Sequence, residues 1–197
     1  LSLIKFYHHF VYSSVLGYFS LSMDKWCVNL VSMGNFAYYT RAIQLLNVPI
    51  VFFNRMLAKD VQSMMLNNLN YQGVLGKLLI ASLLVSTITF IFSPFFIGMI
   101  LGKEWLTVAL YLQFLSILIP IRIIIKYIDV FVRAYHTPKC YRNLHLVNTI
   151  SIAISISVGY LIPLFSGIEF NIKYLLCSVI VGWSIAAIIS SYIYLRK

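Results

Sequence analysis

Charge is what this sequence has least of. Only five of its 197 residues are acidic and fifteen are basic, so charged side chains make up 10% of the chain. A soluble domain carries about 25%, and a chain this poor in charge cannot cover a water-facing surface. Cysteine is also scarce: Cys27, Cys140 and Cys177 are widely separated and form no CxxC or Cys/His cluster. An odd number of them argues against a disulfide framework. The start, "LSLIKFYHHF", has no cleavable-signal pattern and no initiator Met, as expected of a fragment or of a non-standard start. No basic tail or aromatic-basic ribbon exists, so the net charge of +10 is not a nucleic-acid footprint. Also missing are a nucleophile elbow, a Walker motif and paired catalytic carboxylates, which weighs against an enzyme. His8, His9, His136 and His145 lack metal-ligand spacing, and no cofactor is expected.

What the sequence has in abundance is hydrocarbon: 61% of residues are hydrophobic and the mean hydropathy is +0.89. A membrane span needs about 20 mostly apolar residues. Six stretches meet that, at about 10–32, 35–54, 78–101, 106–133, 146–166 and 174–195. The fold class is therefore all-α integral membrane, a single six-helix unit over 1–197. Between the second and third spans, Leu57, Val61, Met64 and Met65 oppose Lys59 and Asp60, a pattern for a short interfacial helix at about 55–70. Nine basic residues (Lys5, Arg55, Lys59, Lys77, Arg133, Lys139, Arg142, Arg196, Lys197) fall on one set of alternating loops, against Lys103 and Lys173 on the other. The positive-inside rule then puts both ends of this segment in the cytoplasm. The expected location is a cell (inner or plasma) membrane.

Charges inside such spans are costly, at least about 2.5–3.5 kcal/mol each at the bilayer centre, and need a pathway, a pair or an escape. Asp24 and Lys25 lie inside the first span, and Arg41 inside the second, with Gln44 and Asn47 following at helical spacing. At 1.5 Å per residue, Asp24 and Arg41 fall about 12 Å and 9 Å below the same outer boundary. They are placed to pair, either as a structural ion pair or with a substrate or proton role. In "IRIIIKYIDVFVR", Arg122, Lys126, Asp129 and Arg133 share one helix face. Arg122 is expected about 24 Å from the outer side, as an intramembrane cation lining a cavity. Lys126 marks the boundary, either snorkelling or facing a cavity, and Asp129 and Arg133 form a solvated cytoplasmic extension. Pro120 is expected to bend the helix and free a carbonyl. Tyr38 and Tyr39, beside Arg41, are candidates to stack on a sugar or to belong to an interfacial belt.

Three stretches carry a resemblance. "MDKWCVNLVSMGNFAYYTRAIQLLNVPI" resembles the Asp-Lys helix, short turn and Gly-x-x-(Tyr)-Tyr-(Ser/Thr)-Arg-Ala-x-Gln-Leu run of polysaccharide flippases. "ILGKEWLTVALYLQFLSI" is similar to their Leu-Gly-x-x-Trp loop, and "VFVRAYHTPK" to the helix end that follows. The family is the polysaccharide transporters of the multidrug/oligosaccharidyl-lipid/polysaccharide export superfamily, which includes O-antigen and exopolysaccharide flippases. The resemblance covers most of residues 10–142 and only the second of the family's two lobes. It implies that the chain, with a missing N-terminal lobe, moves a lipid-linked oligosaccharide to the outer leaflet by alternating access. It also implies that Arg41, Arg122, Lys126 and Lys25, with Tyr38 and Gln44, contact the substrate. Arginine suits phosphate because it binds bidentately. Asp24, and secondarily Asp129, would couple an ion. The competing readings are a multidrug exporter of the same superfamily and a truncated, non-transporting remnant. The short outer loops disfavour a membrane glycan polymerase or ligase.

Overall fold

The computed structural model describes residues 2–31, 33–61, 63, 72–166 and 172–195. They form seven α-helices: α1 (Ser2–Val31), α2 (Met33–Met56), α3 (Gln72–Ile100), α4 (Leu106–Ser116), α5 (Leu118–Tyr135), α6 (Pro138–Ser166) and α7 (Ile172–Tyr194). No strand occurs among the described residues. Each expected span falls on a helix, the fourth on the α4–α5 pair. Among the described residues, three helical stretches are long and apolar enough to cross a membrane: Gly73–Ile100, Pro138–Leu161 and Ile172–Tyr194. A fourth is added if α4 and α5, bent by 46° at their junction, count as one broken span. The outward faces agree with this. Leu83, Leu84, Ile88, Ile91, Phe95 and Met99 all lie exposed on α3, Met99 to 76%, an apolar surface that suits lipid and not water. Of the expected interfacial helix, Leu57–Val61 is a π-helical turn continuing α2, and Leu57 is fully buried in the core. Met64 and Met65 lie outside the described residues.

Two prolines explain how α3 and α4 are joined. A helical proline lacks the N–H that would satisfy the carbonyl four residues back. Pro94 so frees the carbonyl of Phe90, which accepts from Gln113 Nε2 at 3.0 Å. Pro120 frees that of Ser116, which accepts from Ser86 Oγ at 2.9 Å. The bend expected at Pro120 is thus present, and its carbonyl is satisfied by a neighbouring helix, as an apolar surrounding requires. Gly102, at φ 93°, supplies the left-handed turn between α3 and the 3₁₀ turn Lys103–Trp105.

The cross-helix contacts fix the order and direction of the helices. Tyr111 bonds Asn35 and Arg122 bonds Asn47, so α2 runs parallel to α4 and α5. Ser190 bonds Asn148, and Gly182 lies against Ser155 and Gly159 against Ser178, so α6 and α7 are antiparallel. A Cβ on Gly182 would come 3.1 Å from Ile152 Cα. Small residues at this seam let the two backbones approach closely, the usual packing device of helices in lipid. α5 is the most enclosed element, with Leu118, Ile119, Ile123 and Ile128 fully buried. That burial sets the site, because the charged stripe lies on the same helix.

Candidate functional site

Two buried charges occupy the middle of the bundle. Asp24 on α1 is 2% exposed and Arg122 on α5 is 8% exposed. Removing either from water is costly unless polar partners replace the lost hydration. Asp24 Oδ2 accepts from the Tyr39 hydroxyl at 2.7 Å, and its Oδ1 accepts from the Lys25 backbone N–H at 2.8 Å. Arg122 Nη1 donates to Asn47 Oδ1 at 3.0 Å, and its guanidinium lies 4.9 Å from the Trp183 ring centroid, a favourable cation–π arrangement. The Arg122 charge also acts electrostatically on both Asp24 and Tyr39. Four helices (α1, α2, α5 and α7) therefore meet in one polar cluster. Arg122 Nε remains buried without a partner.

This arrangement corrects the expected Asp24–Arg41 pair. Asp24 meets Tyr39, and Arg41, two residues further along α2, is rotated by about 200° to the opposite side. There Arg41 is exposed, and its Nη1 donates to Gln44 Oε1 at 3.1 Å. The pair borders an open hollow of about 380 Å³, walled by Phe36, Thr40, Leu101 and Trp105. Tyr38 does not line it; its ring meets Trp105 edge-on at 5.6 Å, steadying the indole from behind. Arg122 is not at this hollow either, being sealed in the bundle. Lys25 is half-buried, beside Asp24.

Nor is the lower half of the α5 stripe the solvated extension expected. Asp129 is 4% exposed, because its face of α5 is covered by α6, which folds back after a short loop. Its Oδ2 takes Lys126 Nζ at 2.6 Å and Arg133 Nη2 at 3.2 Å. His145 Nε2, from α6, stands 3.3 Å from Oδ1. Lys126 thus pairs with Asp129, while Arg133 is exposed and also bonds the Tyr141 hydroxyl. Tyr39, Asn47, Trp183, Tyr141 and His145 were not singled out from sequence as partners. Asn47 had a signal in its helical spacing after Arg41 and Gln44, and Tyr39 stood out only for its place beside Arg41. No family model matches the chain, and no curated protein or solved structure matches it significantly.

Proposed function

We propose that this chain is the second lobe of a flippase for lipid-linked oligosaccharides, with six membrane spans and both ends of the segment cytoplasmic. It faces an N-terminal lobe and moves glycan to the outer leaflet by alternating access. The observation that supports the reading best is Arg41. It is an exposed cation within a predicted span, without a carboxylate within ion-pair distance among the described residues, on the edge of an aromatic-walled hollow. Its Nη1 donates to Gln44 Oε1, which leaves the Gln44 amide N–H donors unused by Arg41. Guanidinium and amide together then offer donors only, as an acceptor-rich pyrophosphate or sugar requires. Arg122 and Asp24 act one layer deeper, the first holding α2 and α7 on α5, the second serving as the ion-coupling carboxylate.

The test is surface glycan in cells whose only copy of the protein is a variant. Arg41→Ala should cut export by roughly ten- to a hundredfold, the equivalent of one or two charge-assisted hydrogen bonds, with unchanged protein in the membrane. Gln44→Ala should have a smaller effect. Normal surface glycan in Arg41→Ala would remove the basis for this reading.

A further inference from the structure

We infer that the hollow beside Arg41 is a subsite for a uronic acid residue, with the sugar carboxylate on Arg41 and the ring against Trp105. The inference rests on the reading of this hollow as a glycan site and narrows what it takes. Charge is the first discriminator. Of the residues lining the hollow, Arg41 alone is charged. Lys103 and Glu104, on the same turn as Trp105, are exposed and opposite in sign. A hexuronate carries a single negative charge, on a planar carboxylate whose oxygens match the guanidinium fork. Arg41 uses Nη1 on Gln44, which leaves the other donors of the fork for such a group. A pyrophosphate diester instead carries a charge on each phosphorus. Arg41 would answer one of them, and the other would lie against Phe36, Leu101 and Trp105, walls with no counter-charge to offer.

The same walls suit a sugar ring. The C–H bonds on one face of a pyranose present a slightly positive surface, which fits the negative face of an aromatic ring. Trp105 is held ready for that contact at both backbone and ring. Its N–H donates to the Gly102 carbonyl at 3.1 Å, and its indole meets Tyr38 at 5.6 Å with the planes at 77°. Tyr38 is therefore a positioning residue for the indole and not a wall of the site. Thr40, which does line the hollow, has a hydroxyl buried without a hydrogen-bond partner. A ring hydroxyl would supply the missing partner, since each can both donate and accept. At about 380 Å³ the hollow is near the small end of ligand sites, about 300–1,000 Å³. That suits a sugar unit and not a whole oligosaccharide.

The test is saturation-transfer NMR on the full-length protein in lipid nanodiscs, with methyl glucuronide, methyl glucoside and inorganic pyrophosphate as probes. Methyl glucuronide should bind about tenfold tighter than methyl glucoside, as expected of a charge-assisted hydrogen bond. Pyrophosphate at equal concentration should not displace it. Arg41→Gln should remove the preference for the acid while weak binding of both sugars persists. Trp105→Ala should abolish saturation of both sugars, whereas Trp105→Phe, which keeps an aromatic face, should retain it. Equal affinity for the two sugars in the wild type would overturn the inference. Displacement by pyrophosphate, or unchanged binding in Trp105→Ala, would overturn it as well. The result is separable from that of the export test. If Arg41→Ala stops export while the wild type shows no preference for the acid, transport stands and the uronate subsite falls. If the acid is preferred while Arg41→Ala exports normally, the subsite stands and the transport reading falls.

Discussion

One hydroxyl, that of Tyr39, separates a satisfied buried carboxylate from one short of a partner. Tyr39→Phe leaves Asp24 Oδ2 without its donor and should cost about 1–3 kcal/mol, read as a lower unfolding midpoint in detergent. Tyr38→Phe, which keeps the ring against Trp105, should be close to neutral; equal losses in the two variants would remove Asp24 as the reason. Charges were legible in the sequence at this scale because an Asp or Arg in an apolar run has to be explained. Their partners were not. Depth placed Asp24 and Arg41 together, but rotation about α2 put a neutral tyrosine at the contact and turned the arginine outward. Asp129 was misplaced for a related reason. Distance along the helix put it beyond the lipid, and only the return of α6 over that face shows it to be enclosed.

Among the elements, α6 and α7 make the closest approach. Gly182→Ala would force a Cβ to 3.0 Å from Ser155 Cβ and 3.1 Å from Ile152 Cα. The second of these is backbone and cannot swing away. The expected cost is about 1–3 kcal/mol of overpacking. Gly76→Ala on α3 meets nothing within 4 Å and should instead stabilise by about 0.5–1 kcal/mol through helix propensity. Opposite signs in thermal unfolding check the seam; a neutral Gly182→Ala would refute it. The seam is spelled in the sequence as "SISVG" and "SVIVG", small residues four apart on each helix, ending at Gly159 and Gly182. Hydropathy alone passed over it, because serine and glycine barely alter an apolar average. Hydropathy did better at locating helices: each expected span falls on one, the fourth on a bent pair, and three or four of these stretches among the described residues are long and apolar enough to cross a membrane.

At the scale of the whole molecule, the proposed topology has successive spans alternating in direction. Lys103 and Glu104 therefore lie at one end and Arg133 and Lys139 at the other. In a cysteine-free background, Lys103→Cys should react with a membrane-impermeant maleimide in intact cells, and Lys139→Cys only after lysis. Labelling of both from one side would dismantle the six-span topology. Loop charge gives the sidedness that this labelling tests, because basic residues gather on alternate loops. The 46° break within the fourth span was readable only as a proline, not as an angle.

The crossed carbonyl bonds between α3 and α4 also bear on how the chain enters the bilayer. Each of these helices carries a backbone acceptor to which the other donates, the Phe90 carbonyl also lying 3.5 Å from Ser93 Oγ of its own helix. Alone in hydrocarbon, each helix would keep a carbonyl short of its better-aligned donor until its neighbour arrived. The expected outcome is that α3 and the α4–α5 pair enter a bilayer together, with the tight Gly102 turn keeping the interval between them short.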